Sequence, residues 1–184
     1  MLMVEREVKL RFESPEEARA AILGAGATPL RCRRLQEDAL FDTEDEVLRR
    51  RRCALRIRTE AGQSLLTFKG PVQPGTMKIR DEHETVIADG AVLRHVLEEL
   101  GLHVWFRYEK YREEYAAEDV TIALDETPVG TYVEIEGGEQ GIEAMTHALG
   151  RSASDFILDS YRGLFIQHRE QRGSSAVHMV CPEA

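Results

Sequence analysis

Residues 4–12 read VEREVKLRF and alternate with period two, Val4, Val8, Leu10 and Phe12 on one side of an extended chain and Glu5, Glu7, Lys9 and Arg11 on the other. A strand with one apolar face is ordinary. A strand whose opposite face is charged at every step is harder to place, because that face can meet neither an oily core nor a second apolar layer.

The same pattern recurs outward from this segment. In 54–60, ALRIRTE, Leu55 and Ile57 oppose Arg56 and Arg58, and Gly62 separates this stretch from 64–70, SLLTFKG, so the two predict a hairpin that closes near Lys69. In 77–87, MKIRDEHETVI, one side carries Lys78, Arg80, Glu82 and Glu84. In 104–115, VWFRYEKYREEY, Lys110, Arg112 and Glu114 fall together. The segment 120–126, VTIALDE, sets Val120, Ile122 and Leu124 against Thr121, Ala123 and Asp125, and 131–137, TYVEIEG, sets Val133 and Ile135 against Glu134 and Glu136. Residues 35–43 also look extended.

Helices are expected in the gaps. Ser14-Pro15-Glu16-Glu17 reads as a cap, a proline at the first helical position and a capping box, opening a helix that runs to about Gly24 or Gly26. Residues 89–101 show helical spacing at Val92, Leu93, Val96, Leu97 and Leu100, with Asp89 as cap and Gly101 as stop. Two more helices are expected at about 139–149 and 154–168, and the polar stretch after Gln167 reads as a frayed tail, giving one domain over 1–168 and a flexible tail over 169–184. Seven or eight strands, each with one apolar and one charged face, are reconciled by an α+β fold: a closed antiparallel β-barrel, apolar and helix-covered outside, charged inside.

Composition narrows the function. The chain has 184 residues, 42% of them apolar, and a net charge of −9, which argues against general electrostatic binding of nucleic acid. No run approaches the roughly 20 apolar residues that span a bilayer, and charge at Glu5, Arg6 and Glu7 stands where a secretory signal needs an apolar stretch. A cytoplasmic protein with no membrane partner is expected. Cys32, Cys53 and Cys181 are odd in number and show no CxxC spacing, so neither a disulfide framework nor a zinc cluster is read from them.

On the inferred lumen face two sets collect: the acids Glu5, Glu7, Glu82, Glu84, Asp125, Glu134 and Glu136, and the bases Lys9, Arg56, Arg58, Lys69, Arg80, Lys110 and Arg112. Alternating Lys and Glu on one strand is most often a solvated face with cross-strand ion pairs. That reading does not account for three Glu-x-Glu pairs, each setting like charges side by side. Paired carboxylates without His or Cys suit a hard cation, Mg2+ or Mn2+. If the cation takes the acids, the bases are left for a polyanion, and Arg forks and Lys point charges match phosphate oxygens.

These residues resemble a known family. Glu5-Arg6-Glu7-Val8-Lys9 is similar to the ExExK signature of the CYTH superfamily, the triphosphate tunnel metalloenzymes that include class IV adenylyl cyclases and thiamine triphosphatases. The likeness continues, in family order over about residues 4–165, through Phe41-Asp42-Thr43, LRIR at 55–58, Phe68-Lys69-Gly70-Pro71, Arg80-x-Glu82-x-Glu84, Glu109-Lys110-x-Arg112, Leu124-Asp125, Gly130-x-x-x-Glu134-x-Glu136 and Ser160-Tyr161-Arg162. One departure is Ala39-Leu40-Phe41, where many members carry an aromatic pair ahead of the Asp-Thr, which bears on packing at the tunnel mouth.

The resemblance implies an eight-stranded tunnel in which Glu5, Glu7, Glu82, Glu84, Asp125, Glu134 and Glu136 hold one or two Mg2+ or Mn2+ ions. Lys9, Arg56, Arg58, Lys69, Arg80, Lys110 and Arg112 would hold a triphosphate, with Glu7, Lys9, Lys69 and Arg80 as the catalytic set. The expected activity is a metal-dependent triphosphatase acting on inorganic triphosphate, thiamine triphosphate or a nucleotide. A class IV cyclase making cyclic AMP and pyrophosphate from ATP is the alternative, and a non-catalytic polyphosphate- or nucleotide-binding protein a third. A homodimer stays open, since no apolar stripe marks an interface.

Other signals carry less. Lys69-Gly70 lacks the upstream glycines of a P-loop, and His83-Glu84 lacks the second His of a zinc protease motif. The basic run at 49–52 reads as a solvated surface, and Trp105 and Tyr108 as packing residues.

Overall fold

A computed structural model describes residues 3–182 of the chain. Eight strands, β1 (Met3–Phe12), β2 (Thr28–Thr43), β3 (Ala54–Glu60), β4 (Gln63–Lys69), β5 (Lys78–Ile87), β6 (Leu102–Ala117), β7 (Val120–Thr127) and β8 (Gly130–Gly137), close into a barrel in the order β1-β5-β4-β3-β2-β6-β7-β8. Every pairing is antiparallel. The helices α1 (Pro15–Gly24), α2 (Val47–Arg50), α3 (Gly90–Glu99), α4 (Glu139–Ala148) and α5 (Tyr161–Arg172) lie outside or across one end.

The apolar core is the outer face of the barrel, as the alternation requires. Val8, Leu10 and Phe12 of β1, Ile122 and Leu124 of β7 and Val133 and Ile135 of β8 pack under Ala18 and Ile22 of α1 and Ile142 and Met145 of α4. Each fully buried side chain of this kind contributes about 1.5–3 kcal/mol. The turn from β8 into α4 depends on a missing side chain, because Gly137 has φ +154° and a Cβ there would stand 2.6 Å from the carbonyl oxygen of Asp119.

Several local expectations are corrected. The Ser14 side chain accepts from the Glu17 backbone NH at 3.2 Å, but the Glu17 carboxylate accepts from the NH of Glu13, one residue before the cap. The strand expected at 35–43 begins at Thr28. The helix expected from 154 begins at Tyr161, because Ile157 bonds to the Lys9 carbonyl at 2.8 Å and Ser160 caps α5 through the NH of Gly163. That helix runs to Arg172, ending on Gly173 in the left-handed conformation. Among the described residues the polar stretch beyond it is not frayed: Met179 is buried and exchanges backbone bonds with Arg107 and Glu109 of β6 at 3.0 and 2.8 Å, while residues 183 and 184 of the expected tail lie outside the described residues. Arg49 is not simply solvated either, since Asp42 holds it at 3.2 Å.

Both C-terminal segments complete barrel edges. Strand β1 pairs with β5 only through Glu7, and the 157 segment takes up the edge beyond. Strand β6 pairs with β7 only from Tyr111 onward, and the 179 segment borders the rest. Between them α5 closes this end, with Tyr161, Leu164 and Phe165 packed on Phe106, Tyr108 and Tyr132. Leu40, expected at the tunnel mouth, packs at this closed end instead.

Candidate functional site: a charged barrel interior

The register aligns charged side chains across neighbouring strands along the lumen. Glu5 lies opposite Arg80, Glu7 opposite Lys78 on one side and Glu136 on the other, and Lys9 opposite Glu134. Lys69 lies opposite Glu82, Asp38 opposite Arg58, and Arg112 opposite Asp125. The predicted acids and bases therefore share one interior, and Glu5, Glu7, Lys9, Arg56, Arg58, Lys110 and Asp125 are buried in it. Glu84 is the most peripheral of the paired acids, accepting from the Thr67 hydroxyl at 2.7 Å with its side chain 38% exposed.

Charges at such depth persist only when paired. Toward the closed end, Asp125 receives Lys110 at 2.7 Å, both arms of Arg112 at 2.6 and 2.5 Å, and the Tyr161 hydroxyl at 2.5 Å. Glu134 receives Arg112, with Lys9 at 3.4 Å and Lys110 at 3.9 Å. Burial opposes ionisation of both acids, but Arg112 and Lys110 outweigh it and hold them below the usual carboxylate range. Burial and the neighbouring Arg112 push Lys110 down to about 8. The ring of Tyr161 lies under both ammonium groups, 4.3 Å from Lys9 and 4.6 Å from Lys110.

On the wall formed by β1, β4 and β5, Lys69 bridges Glu5 at 2.6 Å and Glu82 at 2.7 Å, and Arg80 donates to Glu5 at 3.1 Å. Lys78 donates to Glu7. Across the lumen, Asp38 takes two bonds from Arg58, at 2.9 and 3.2 Å, and lies 3.3 Å from Arg56. Burial opposes the charge on Asp38, while Arg58 and Arg56 keep it ionised.

Glu136 differs from the rest. It sits near the open end with no hydrogen bond or ion pair among the described residues, directly opposite Glu7. Its side chain is exposed at the mouth, and partial burial of the carboxylate group, then the charges of Glu5 and Glu7, push it up to about 7. Among the described residues no three acidic, His or Cys groups already form a cage for a metal ion.

Lys78, Asp38 and Tyr161 extend the site beyond the predicted set. Lys78 falls on the alternation of β5 and was legible there. Asp38 lies in a segment read only as extended, and Tyr161 lies in the Ser160-Tyr161-Arg162 stretch, whose part in closing the barrel spacing does not reveal. Trp105 lies outside the lumen between the guanidinium groups of Arg49 and Arg162, at 4.4 and 4.8 Å.

A closed barrel with acids and bases interleaved along its interior is an uncommon design, and residues 3–161 match the CYTH domain. The chain belongs to the CYTH family. A relative from Methanocaldococcus jannaschii, described as a "putative adenylate cyclase", is 30% identical over 135 residues, covering 73% of this chain and 77% of its own. A Vibrio parahaemolyticus structure of the same description superposes with a TM-score of 0.80 at 19% identity, covering 90% of this chain and 99% of that one. A structure from Hippeastrum, described as a "putative adenylyl cyclase" with a dominant triphosphatase activity, gives a TM-score of 0.64 at 19% identity, with 96% and 98% covered. Among the described residues no helix is long and apolar enough to cross a membrane.

Proposed function

We propose that this chain hydrolyses a linear triphosphate inside its barrel, with Mg2+ or Mn2+ as cofactor. The observation that carries the reading is the charge arrangement of the lumen. The bases Lys9, Arg56, Arg58, Lys69, Lys78, Arg80, Lys110 and Arg112 balance the acids Glu5, Glu7, Asp38, Glu82, Glu84, Asp125, Glu134 and Glu136 in number. A divalent cation on the acids leaves an excess of positive charge, and a polyanion restores the balance.

The acids fit such a cation. Glu7 and Glu136 are like charges directly opposed across β1 and β8, an arrangement that destabilises a sheet unless a cation joins them. Glu136 has no cationic partner among the described residues to relieve that opposition, and an oxygen-only donor set suits Mg2+ or Mn2+. Glu5, Glu7 and Glu136 would hold it, and Glu82, Glu84, Asp125 and Glu134 would add acidic oxygens along the same lumen. When bound, the cation would supply charge neutralisation on the phosphate oxygens.

The chain's own groups do the rest. Lys and Arg on facing walls would hold the phosphates in line and stabilise the charge that builds on the bridging oxygen as water displaces pyrophosphate from the terminal phosphorus. The pairing Asp38–Arg58 and the Tyr161–Asp125 bond keep those donors oriented before substrate arrives.

Two features support a substrate made chiefly of phosphate. The lumen-side rings of Phe106, Tyr108 and Tyr132 are packed against α5 at the closed end. Toward the open end the strands carry Arg34, tied to Glu60 and Glu114 at 2.8 Å, a charged mouth, whereas the paired Leu65 and Val86 there would suit the organic part of a nucleotide or thiamine triphosphate. The description of the archaeal relative favours the second reading, a cyclase that turns ATP into cyclic AMP and pyrophosphate.

Phosphorus NMR of reactions with Mg2+ or Mn2+ and, separately, inorganic triphosphate, thiamine triphosphate and ATP tests both. Orthophosphate release supports the triphosphatase and ranks its substrates; cyclic AMP with pyrophosphate supports the cyclase; no product from any of the three leaves a binding protein. Glu7→Ala and Lys9→Ala should each cut turnover by about 100-fold or more, the scale seen when an electrostatic contact to a transition state is lost. Near-normal rates in either variant would remove that residue from the machinery.

A further inference from the structure

Lys78 is buried at the start of β5 and donates to the Glu7 carboxylate, its neighbour in the β1–β5 register. The bond occupies an acid that, on the reading above, belongs to the cation. Glu7 therefore has two suitors, Lys78 on one flank and, with Glu136 on the other, a divalent ion. A carboxylate that gives its charge to a metal ion can no longer neutralise a buried ammonium, and a buried ammonium without a partner is costly.

We infer that Lys78 is a further triphosphate-binding residue, held by Glu7 until a divalent cation draws that carboxylate away. The released ammonium is already in the lumen, with Lys69 and Arg80 on the same wall. Its nearest gain in hydrogen bonding is a phosphate oxygen entering between them. The exchange runs in both directions: cation binding frees a phosphate donor, and a phosphate that captures Lys78 frees a cation ligand. Cation and triphosphate affinities are then coupled through this one side chain, each raising the other by the same factor. The inference rests on the proposed function, since it needs both ligands in one lumen.

The direct test is calorimetric binding of an imido-bridged, non-hydrolysable triphosphate to the wild type, Lys78→Gln and Lys78→Arg, once in EDTA and once with saturating Mn2+. In EDTA, with Glu7 still holding Lys78, the Gln variant should bind within about twofold of the wild type. With Mn2+ it should bind about tenfold more weakly, the worth of one charge-assisted hydrogen bond, and the Arg variant should keep most of the wild-type affinity.

Equal losses in the two conditions would overturn the exchange and make Lys78 a permanently engaged phosphate ligand. No loss in either would leave it a structural counterion of Glu7. If the Gln variant fails to fold, Lys78→Arg with Glu7→Gln decides. In EDTA, Glu7→Gln should bind the analogue more tightly than the wild type, and adding Lys78→Arg should not cancel that gain. An unchanged affinity in Glu7→Gln overturns the inference. A wild type that binds the analogue in neither condition overturns the functional reading and this inference together, whereas metal-dependent hydrolysis with no effect at Lys78 overturns the inference alone.

Discussion

Asp38 holds two arginines at once, and the lumen depends on such shared acids. With Asp38→Ala, Arg56 and Arg58 keep their burial and lose their common partner, which costs about 3–5 kcal/mol when one member of a buried ion pair is removed. Urea unfolding should show that loss, and a change under about 1 kcal/mol would mean that water or Glu84 takes over. Glu136 makes the opposite prediction. Its folded value of about 7 stands above the ordinary 4.5, so the folded state holds the proton more tightly, and the associated stability, kept small by solvent screening of an exposed side chain, is present below pH 4.5 and lost as pH rises through 7. Glu136→Gln should flatten that fall, and parallel stability curves for variant and wild type from pH 4 to 8 would contradict it. The charged sides of β1, β5, β6 and β8 are legible in the sequence because alternation alone assigns a face. Which acid meets which base is not. Asp38 reaches Arg58 and Lys78 reaches Glu7 through the offset between strands, and a period-two pattern leaves that offset free.

The strands and α1, α3 and α4 follow from caps, glycines and spacing. The C-terminal elements depart from their spacing for a physical reason. Phe156, Ile157 and Leu158 suggest a helix when read with the residues after them, yet Ile157 is held extended by a bond to Lys9, and α5 starts only where Ser160 can cap it. The segment around Met179 has no periodicity because its order comes from backbone bonds to the open edge of β6, and composition does not report an edge waiting to be filled. Met179→Ala should therefore cost about 2–5 kcal/mol, as for a buried core side chain. A thermal midpoint unchanged by the substitution would show that this segment contributes no stability to the closed end.

At the scale of the whole molecule, the barrel is an inverted protein, with its oily layer between sheet and helices and its charges at the centre. Its stability is accordingly tied to what fills the centre. Mn2+ or Mg2+ should raise the thermal midpoint more at pH 8 than at pH 5, because Glu136 is ionised only at the higher value and binding of a ligand to the folded state alone stabilises it. An equal rise at both pH values would place the ion away from Glu136. Closure itself joins β1 to β8, residues far apart in the chain, so slow folding of the millisecond-to-second kind is expected in a stopped-flow experiment.

The seams beside β1 and β6 also set an order of events during synthesis. A ribosome makes all eight strands before residues 156–181, the segments that take up the free backbone groups at one end. For that interval, at roughly 5–20 residues per second, the nascent barrel presents two unclaimed strand edges, and it is then, more than in its finished form, that neighbouring chains could zip onto it.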